Sequence, residues 1–308
     1  MKKVILVLLV CSSLWWTVKA QSVFESIDYP FEVKKAEISN GMYMAYVDEG
    51  EGEVLLFVHG LGSYLPAWQK NVEVLKNHYR CIAVDLIGYG YSSKTDKPWS
   101  LKDQSAALNQ LMESLGVSKY TLVGHSMGGQ ISVHHALDYA EKVRRMVLVA
   151  PAGIETFTPG QGMMFKLINP EIIANTSKEE IEKNLYVNFH EFPSDAQFMI
   201  KDRVAIKNDP QFPLYAHMVV QGIHSMIEQP VRNQLPQLKL PVMVIFGKED
   251  MLIPNRVLNP SLTTAQVAES AREAIPGSVL HLLDGAGHMV MFEKSDEVNA
   301  LIRAFLER

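Results

Sequence analysis

Cysteine is nearly absent from this chain: 308 residues carry two, Cys11 and Cys81. Cys11 sits in an apolar N-terminal stretch, so Cys81 stands alone in the body of the protein and no internal disulfide framework is available. Basic clusters are missing as well. The formal charge is −5 with no Lys/Arg-rich tract, a poor match to nucleic acid or to anionic lipid surfaces. There is no internal repeat at solenoid periods and no biased tract of the kind that stays disordered. Of the ten histidines, His134 and His135 are consecutive rather than four apart, so they do not share a helix face as a chelating pair; no metal site and no cofactor motif emerges. A chain that is 47% hydrophobic and 20% charged is instead ordinary material for a globular protein with a sizeable core.

Long apolar runs are also lacking, which bears on the N-terminus. MKKVILVLLVCSSLWWTVKAQS opens with Lys2 and Lys3, continues with Val4–Val10 and reaches the small-x-small pattern Val18-Lys19-Ala20. That is the layout of a secretory signal over residues 1–20, with cleavage after Ala20 and a periplasmic or secreted product. The alternative is a retained anchor, but Cys11-Ser12-Ser13 interrupts the run and leaves it short of a bilayer span. Lipidation of Cys11 is disfavoured by bulky Val10 before it. Loss of Lys2, Lys3 and Lys19 takes the formal charge from −5 to −8. Asn175-Thr176-Ser177 is a glycosylation sequon, relevant only in a host that modifies it. No oligomeric state is read from the sequence.

What is present is alternation. Glu32–Ile38 and Met42–Asp48 flank Ser39-Asn40-Gly41 and read as a hairpin. Short apolar runs follow at Val54–Gly60, Tyr79–Leu86, Tyr120–Ser126, Arg144–Pro151, Pro241–Gly247 and Ser278–Gly285, near-continuous as in strands buried on both faces. Cys81, inside the second of them, reads as a small buried hydrophobe. Amphipathic stretches lie between. Ser100 and Asp103 make a capping box before Leu101, Leu108, Leu111 and Leu115, and Ser295 reads as the N-cap of a last helix through Val298, Ile302 and Phe305. The expected fold is α/β, a mostly parallel sheet flanked by helices. Residues 21–151 and 237–308 form its core. Residues 152–236 read as a helical insertion, with Ser177–Phe189 and Pro213–Ile227 helical. Its aromatics and methionines form a satellite core, line an apolar pocket, or do both.

The sequence TLVGHSMGGQ (Thr121–Gln130) places Ser126 between Gly124 and Gly128, after a strand and before a helix. G-x-S-x-G in that setting holds a serine on a sharp turn at the carboxyl edge of a sheet. A serine hydroxyl needs a base to become a nucleophile. His288, in the glycine-rich loop Asp284–Met289, is the candidate; His125 is expected to point away from the serine and to pack or hydrogen-bond locally. The base in turn needs a carboxylate to fix its tautomer. Asp250, three residues past the strand Pro241–Gly247, is favoured over Glu155, and the neighbouring Glu249 is expected to be solvated. Developing charge on a carbonyl oxygen calls for preset donors, worth about 3–4 kcal/mol each. The N–H groups of Met127 and Leu61 are the candidates.

HGLG (His59–Gly62), DLIGYGYSS (Asp85–Ser93), GHSMGG (Gly124–Gly129), GKEDMLIP (Gly247–Pro254) and GAGHMVMFEKSDEV (Gly285–Val298) together resemble the α/β-hydrolase superfamily, in its capped esterase/lipase-like branch. The resemblance runs through nearly everything after residue 30. It implies the α/β-hydrolase fold with a helical cap, a Ser126–Asp250–His288 triad, Leu61 and Met127 as oxyanion donors, and no cofactor or metal. It also implies a small-molecule, ester-type substrate, and the apolar residues of the insertion suggest that its acyl or alcohol group is hydrophobic. No aspartate replaces Ser126, unlike haloalkane dehalogenases and epoxide hydrolases, and the serine-flanked glycine loop of aromatic ring-fission hydrolases is absent. Ester hydrolysis through an acyl-enzyme is the leading expectation. Amide, lactone or peracid chemistry on the same residues, or a low-turnover ligand-binding protein, are the alternatives.

Overall fold

The computed structural model of the protein describes residues 22–308, so the expected export signal over 1–20 lies outside the described residues. The hairpin is β1 (Lys34–Ile38) and β2 (Met42–Glu49), antiparallel across a tight turn in which Gly41 takes φ +70°. The six apolar runs become β3 (Val54–Val58), β4 (Arg80–Val84), β5 (Tyr120–His125), β6 (Val143–Val149), β7 (Val242–Gly247) and β8 (Val279–Leu283). Among the described residues these strands form one sheet in the order β1-β2-β4-β3-β5-β6-β7-β8. β2 joins β4 antiparallel, and every pair from β4 through β8 is parallel.

Helices connect the parallel strands, as the crossover rule requires. They are α1 (Gln69–Leu75), α2 (Leu101–Ser114), α3 (Met127–Asp138), α4 (Pro159–Lys166), α5 (Pro170–Asn175), α6 (Lys178–Tyr186), α7 (Gln197–Ala205), α8 (Phe212–Glu228) and α9 (Thr264–Ala274); α10 (Val290–Glu293) and α11 (Ser295–Leu306) follow the last strand. Side chains alternate between the faces of each strand. Leu56, Val58, Leu122, Leu148 and Val244 pack with α2, α3 and α9, whereas Leu55, Phe57, Val123, Val147 and Ile245 pack with α1, α10 and α11. Burial on both faces is why these strands read as unbroken apolar runs. Cys81 is fully buried in β4, and burial pushes its thiol up to about 12. No helix among the described residues is long and apolar enough to cross a membrane.

The expected capping box of α2 is present: Ser100 Oγ accepts from Asp103 N at 3.2 Å, and Asp103 Oδ2 accepts from Ser100 N at 2.7 Å. Ser295 differs from expectation. It is the first residue of α11 and makes no cap bond, because α10 runs directly into α11 and Lys294 (φ −116°, ψ 44°) occupies the junction. The interval 152–236 carries α4 to α8. There α4 and α5 pack on α8, while α6 packs on α7.

Parallel strands deliver their following loops to one edge. Two of those loops are locked by Asp85, which is fully buried. Its Oδ1 accepts from Leu65 N at 2.7 Å, and its Oδ2 accepts from Tyr91 N at 2.8 Å and Tyr29 Oη at 2.7 Å. Replacing Asp85 by Ala strands two buried N–H donors, and the expected loss is about 3 kcal/mol, near the top of the range for such groups. A urea-unfolding midpoint unchanged by this substitution would contradict the assignment.

Candidate active site

β5 ends at His125 and α3 begins at Met127, leaving a single residue to turn the chain. Ser126 makes that turn with φ 53° and ψ −119°, a conformation that costs a non-glycine residue on the order of 1–3 kcal/mol. The surroundings hold it there. Ser126 N donates to Val149 O at 3.0 Å, and Ser126 O accepts from Gly129 N, Gln130 N and Ala152 N at 2.9–3.1 Å. The flanking glycines are steric requirements. A Cβ on Gly128 would lie 2.3 Å from Val58 O and 2.5 Å from His59 O; one on Gly124 would lie 2.6 Å from Gly128 O.

The loop after β8 brings His288 to the same edge, where it is 3% exposed. Its Nδ1 is 2.8 Å from Asp250 Oδ2. The other carboxylate oxygen, Oδ1, accepts from Leu252 N at 2.8 Å and Ile253 N at 3.0 Å, so the carboxylate is held on both sides. A carboxylate partner assigns the proton to Nδ1 and leaves Nε2 free to accept. Glu155, the other candidate acid, is turned elsewhere. Its oxygens accept from Asn255 N and Asn259 Nδ2 at 3.0–3.1 Å, and burial pushes its carboxyl above the usual range. Glu249 also departs from expectation. It is half-buried rather than solvated, and its Oε2 accepts from Ala286 N at 3.1 Å, tying the Asp250 loop to the His288 loop.

The loop after β3 approaches from the other side. A Cβ on Gly60 would lie 3.0 Å from Ser126 Cβ, so only glycine lets this backbone come so close. His59 fixes the loop: Nδ1 donates to Gly60 O at 2.8 Å and Nε2 accepts from Leu86 N at 3.0 Å. Burial holds its imidazole below the ordinary value, consistent with this neutral tautomer. Met127 N, in the first turn of α3, has no intrahelical acceptor. Neither it nor Leu61 N donates to a protein acceptor among the described residues. Both side chains touch the insertion, since a Cβ on Gly222 in α8 would lie 2.8 Å from Leu61 Cδ1 and 3.1 Å from Met127 Sδ.

Ser126, His288 and Leu61 line one cavity of about 570 Å³ between the sheet edge and the insertion. Its walls are mostly apolar, with Phe157, Phe165, Phe189, Met199, Phe212 and Met226 facing in. Met163 and Met164 face solvent instead, 62% and 54% exposed. His134 and His135 lie away from it: His135 bonds Tyr120 Oη and Ser105, and His134 Nε2 bonds Gln229 O.

A family model described as alpha/beta hydrolase fold matches residues 53–295. The chain belongs to the α/β hydrolase family. A 2-hydroxy-6-oxononadienedioate/2-hydroxy-6-oxononatrienedioate hydrolase from Burkholderia vietnamiensis is 27% identical over 289 residues, covering 90% of this chain and 95% of that protein. The dihydrolipoyllysine-residue acetyltransferase component of the acetoin cleaving system of Cupriavidus necator is also 27% identical, over 87% of this chain and 67% of that protein. Among solved structures, a probable hydrolytic enzyme from Pseudomonas aeruginosa superposes with a TM-score of 0.81 at 25% identity, covering 91% of this chain and 96% of that one. The chain is a hydrolase of this family.

Two features of the hydrolase's site were not assigned a role from the sequence. Glu293 Oε2 accepts from Gly287 N at 2.7 Å, while its Oε1 accepts from His190 N and Glu191 N at 2.9 and 3.0 Å, fastening the insertion to the His288 loop. His125 bonds not locally but to the carbonyl oxygen of His288, at 3.0 Å. The elbow supplies a direct test. Gly128→Ala drives a methyl into two carbonyl oxygens of β3 and its loop, and the expected destabilisation is about 3 kcal/mol or more. Equal unfolding midpoints for Gly128→Ala and the parent protein would refute this packing.

Proposed function

We propose that this hydrolase cleaves a carboxylic ester of a small or medium hydrophobic substrate through an acyl-enzyme. The observation that carries the reading is the 2.8 Å contact between the fully buried Asp250 carboxylate and Nδ1 of His288, which lines the same cavity as Ser126 on its strained turn. With Nδ1 protonated, His288 Nε2 takes the Ser126 proton as Oγ attacks the carbonyl carbon. The oxygen of the tetrahedral intermediate gathers negative charge opposite the two unengaged N–H groups of Leu61 and Met127. Collapse breaks the ester bond, and His288 returns the proton to the departing alkoxide. Water then repeats the sequence on the acyl-serine and releases the acid.

The apolar walls support a hydrophobic acyl or alcohol group, and about 570 Å³ lies within the range of pockets that enclose a small organic ligand. Export with cleavage after Ala20 belongs to the same proposal. Ser126→Ala is expected to lower kcat on short p-nitrophenyl esters at least ~10⁴-fold with an unchanged fold. A fluorophosphonate should label the parent protein at Ser126 and nowhere else. Undiminished turnover by Ser126→Ala excludes this serine as the nucleophile.

One observation favours a second reading, in which the substrate also bears a carboxylate. Arg203 of α7 lines the cavity with its guanidinium 5.3 Å from the Tyr215 ring centre and beside Gly62, and it has no ion-pair partner among the described residues. An uncompensated guanidinium in a mostly apolar wall is suited to a planar anion. The similar Burkholderia protein is named for a dienedioate. On this reading Arg203→Met raises KM for a carboxylate-bearing ester about tenfold or more and leaves a neutral ester of the same size unaffected. Equal effects on the two esters reject the anionic subsite and leave the neutral one.

A further inference from the structure

His125 takes no part in the steps above, yet it is 2% exposed and lines the same cavity. Its Nε2 lies 3.0 Å from the carbonyl oxygen of His288. A carbonyl only accepts, so Nε2 carries the proton and Nδ1 is bare. Nδ1 is buried without a partner, backed by Gly60, where a Cβ would stand 2.9 Å away. The His125 and His288 rings face each other with centroids 4.7 Å apart and planes at 53°. On the other side the Trp68 ring meets His125 edge-on at 6.4 Å. Burial above all, and the nearness of His288, hold the His125 imidazole far below its ordinary value, so it stays neutral.

We infer that His125 is a positioning residue: the hydrogen bond from its Nε2–H to the His288 carbonyl, together with the facing rings, sets the height of the His288 imidazole over Ser126. The inference rests on the serine–histidine reading above. Its physical basis is that the two reacting groups come from distant parts of the chain; His125 and His288 are 163 positions apart. His125 precedes the serine directly, so the strand end that presents the hydroxyl also grips the backbone of the base. Both partners then share β5 as one rigid reference. Proton transfer needs hydrogen-bond reach, and a misplacement of about 1 Å costs on the order of 10²-fold in rate. Neutrality matters too. His288 gains a proton at each transfer, and a second imidazolium against its face would oppose that step.

The substitutions that separate this role from mere packing are His125→Phe, which keeps a ring and loses the donor, and His125→Gln, which places an amide N–H where Nε2 stands. With a p-nitrophenyl ester, His125→Phe is expected to lower kcat about 10- to 100-fold with KM within about twofold. The rate of fluorophosphonate labelling should fall in parallel. His125→Gln should restore both to within about threefold of the parent. Parent-like kcat in His125→Phe, or equal loss in both variants, overturns the inference.

A measurement on the unaltered protein keeps the question open to refutation if a variant does not fold. In ¹⁵N-histidine NMR, His125 should be the neutral Nε2–H tautomer across the neutral pH range, with His288 and His59 as its titratable neighbours. An Nδ1–H tautomer or an imidazolium in that range overturns it. Failure of the parent reading is distinct: the unaltered protein would then show no Ser126-dependent turnover, while the NMR result would still decide the hydrogen bond.

Discussion

The turn at Ser126 is the constraint on which the rest of the site depends. One residue must reverse the chain from β5 into α3, and it does so at φ 53°, where an ordinary side chain is strained. That geometry is kept by bonds from three other segments: the end of β6, the first turn of α3 and Ala152 at the start of the insertion. It is also kept by what is missing, because any Cβ on Gly128 would collide with carbonyl oxygens of the β3 exit. The same close approach brings the His59–Gly62 loop against the serine. A looser turn would therefore misplace the serine, the Leu61 N–H and the first N–H groups of α3 together.

Around that turn the protein gives each of its histidines a defined hydrogen-bond partner. His59 and His125 are both buried and both held below the ordinary imidazole value, chiefly by desolvation. Each spends its one N–H on a backbone carbonyl: Gly60 for His59 and His288 for His125. His288 differs because its Nδ1 faces a carboxylate instead. Three imidazoles within one small region thus receive three different partners. His59 also has the Asp85 carboxylate nearby, but burial outweighs it.

The strands were legible because burial on both faces leaves a short, unbroken apolar signature, and the gathering of Ser126, Asp250 and His288 at one sheet edge was legible because parallel strands send their following loops there. The capping box of α2 was readable even with Asp in the third position, since that side chain still reaches the Ser100 N–H. The failures share a cause. Glu249, Glu293 and His125 act between loops that are neighbours only because the sheet runs β3-β5-β6-β7-β8, and periodicity along one segment contains no term for that. Ser295 misled for a local reason: a short helix abuts α11, so the position that should open the cap is already helical. Composition of the insertion announced apolar character without direction. Phe165 faces the cavity while adjacent Met164 faces water.

That last contrast explains why chemistry and selectivity are unequally encoded. The groups proposed for bond cleavage sit on a sheet edge whose backbone is fixed by parallel pairing, so a few residue types at the right offsets identify them. Most of the cavity wall comes from the insertion, whose side chains are placed by packing of its helices against one another and against α8. Helix α8 is itself seated by contact: Gly222 lies against the side chains of Leu61 and Met127. The insertion is also bound to the base, since Asn188 O accepts from Met289 N at 2.9 Å and Glu293 joins residues 190–191 to Gly287. Any shift of the insertion to accommodate a substrate therefore acts on both the Leu61 loop and the His288 loop. On the proposed reading, recognition by the insertion and alignment of the reacting groups are mechanically one problem, because the elements that shape the pocket bear on the loops that would do the chemistry.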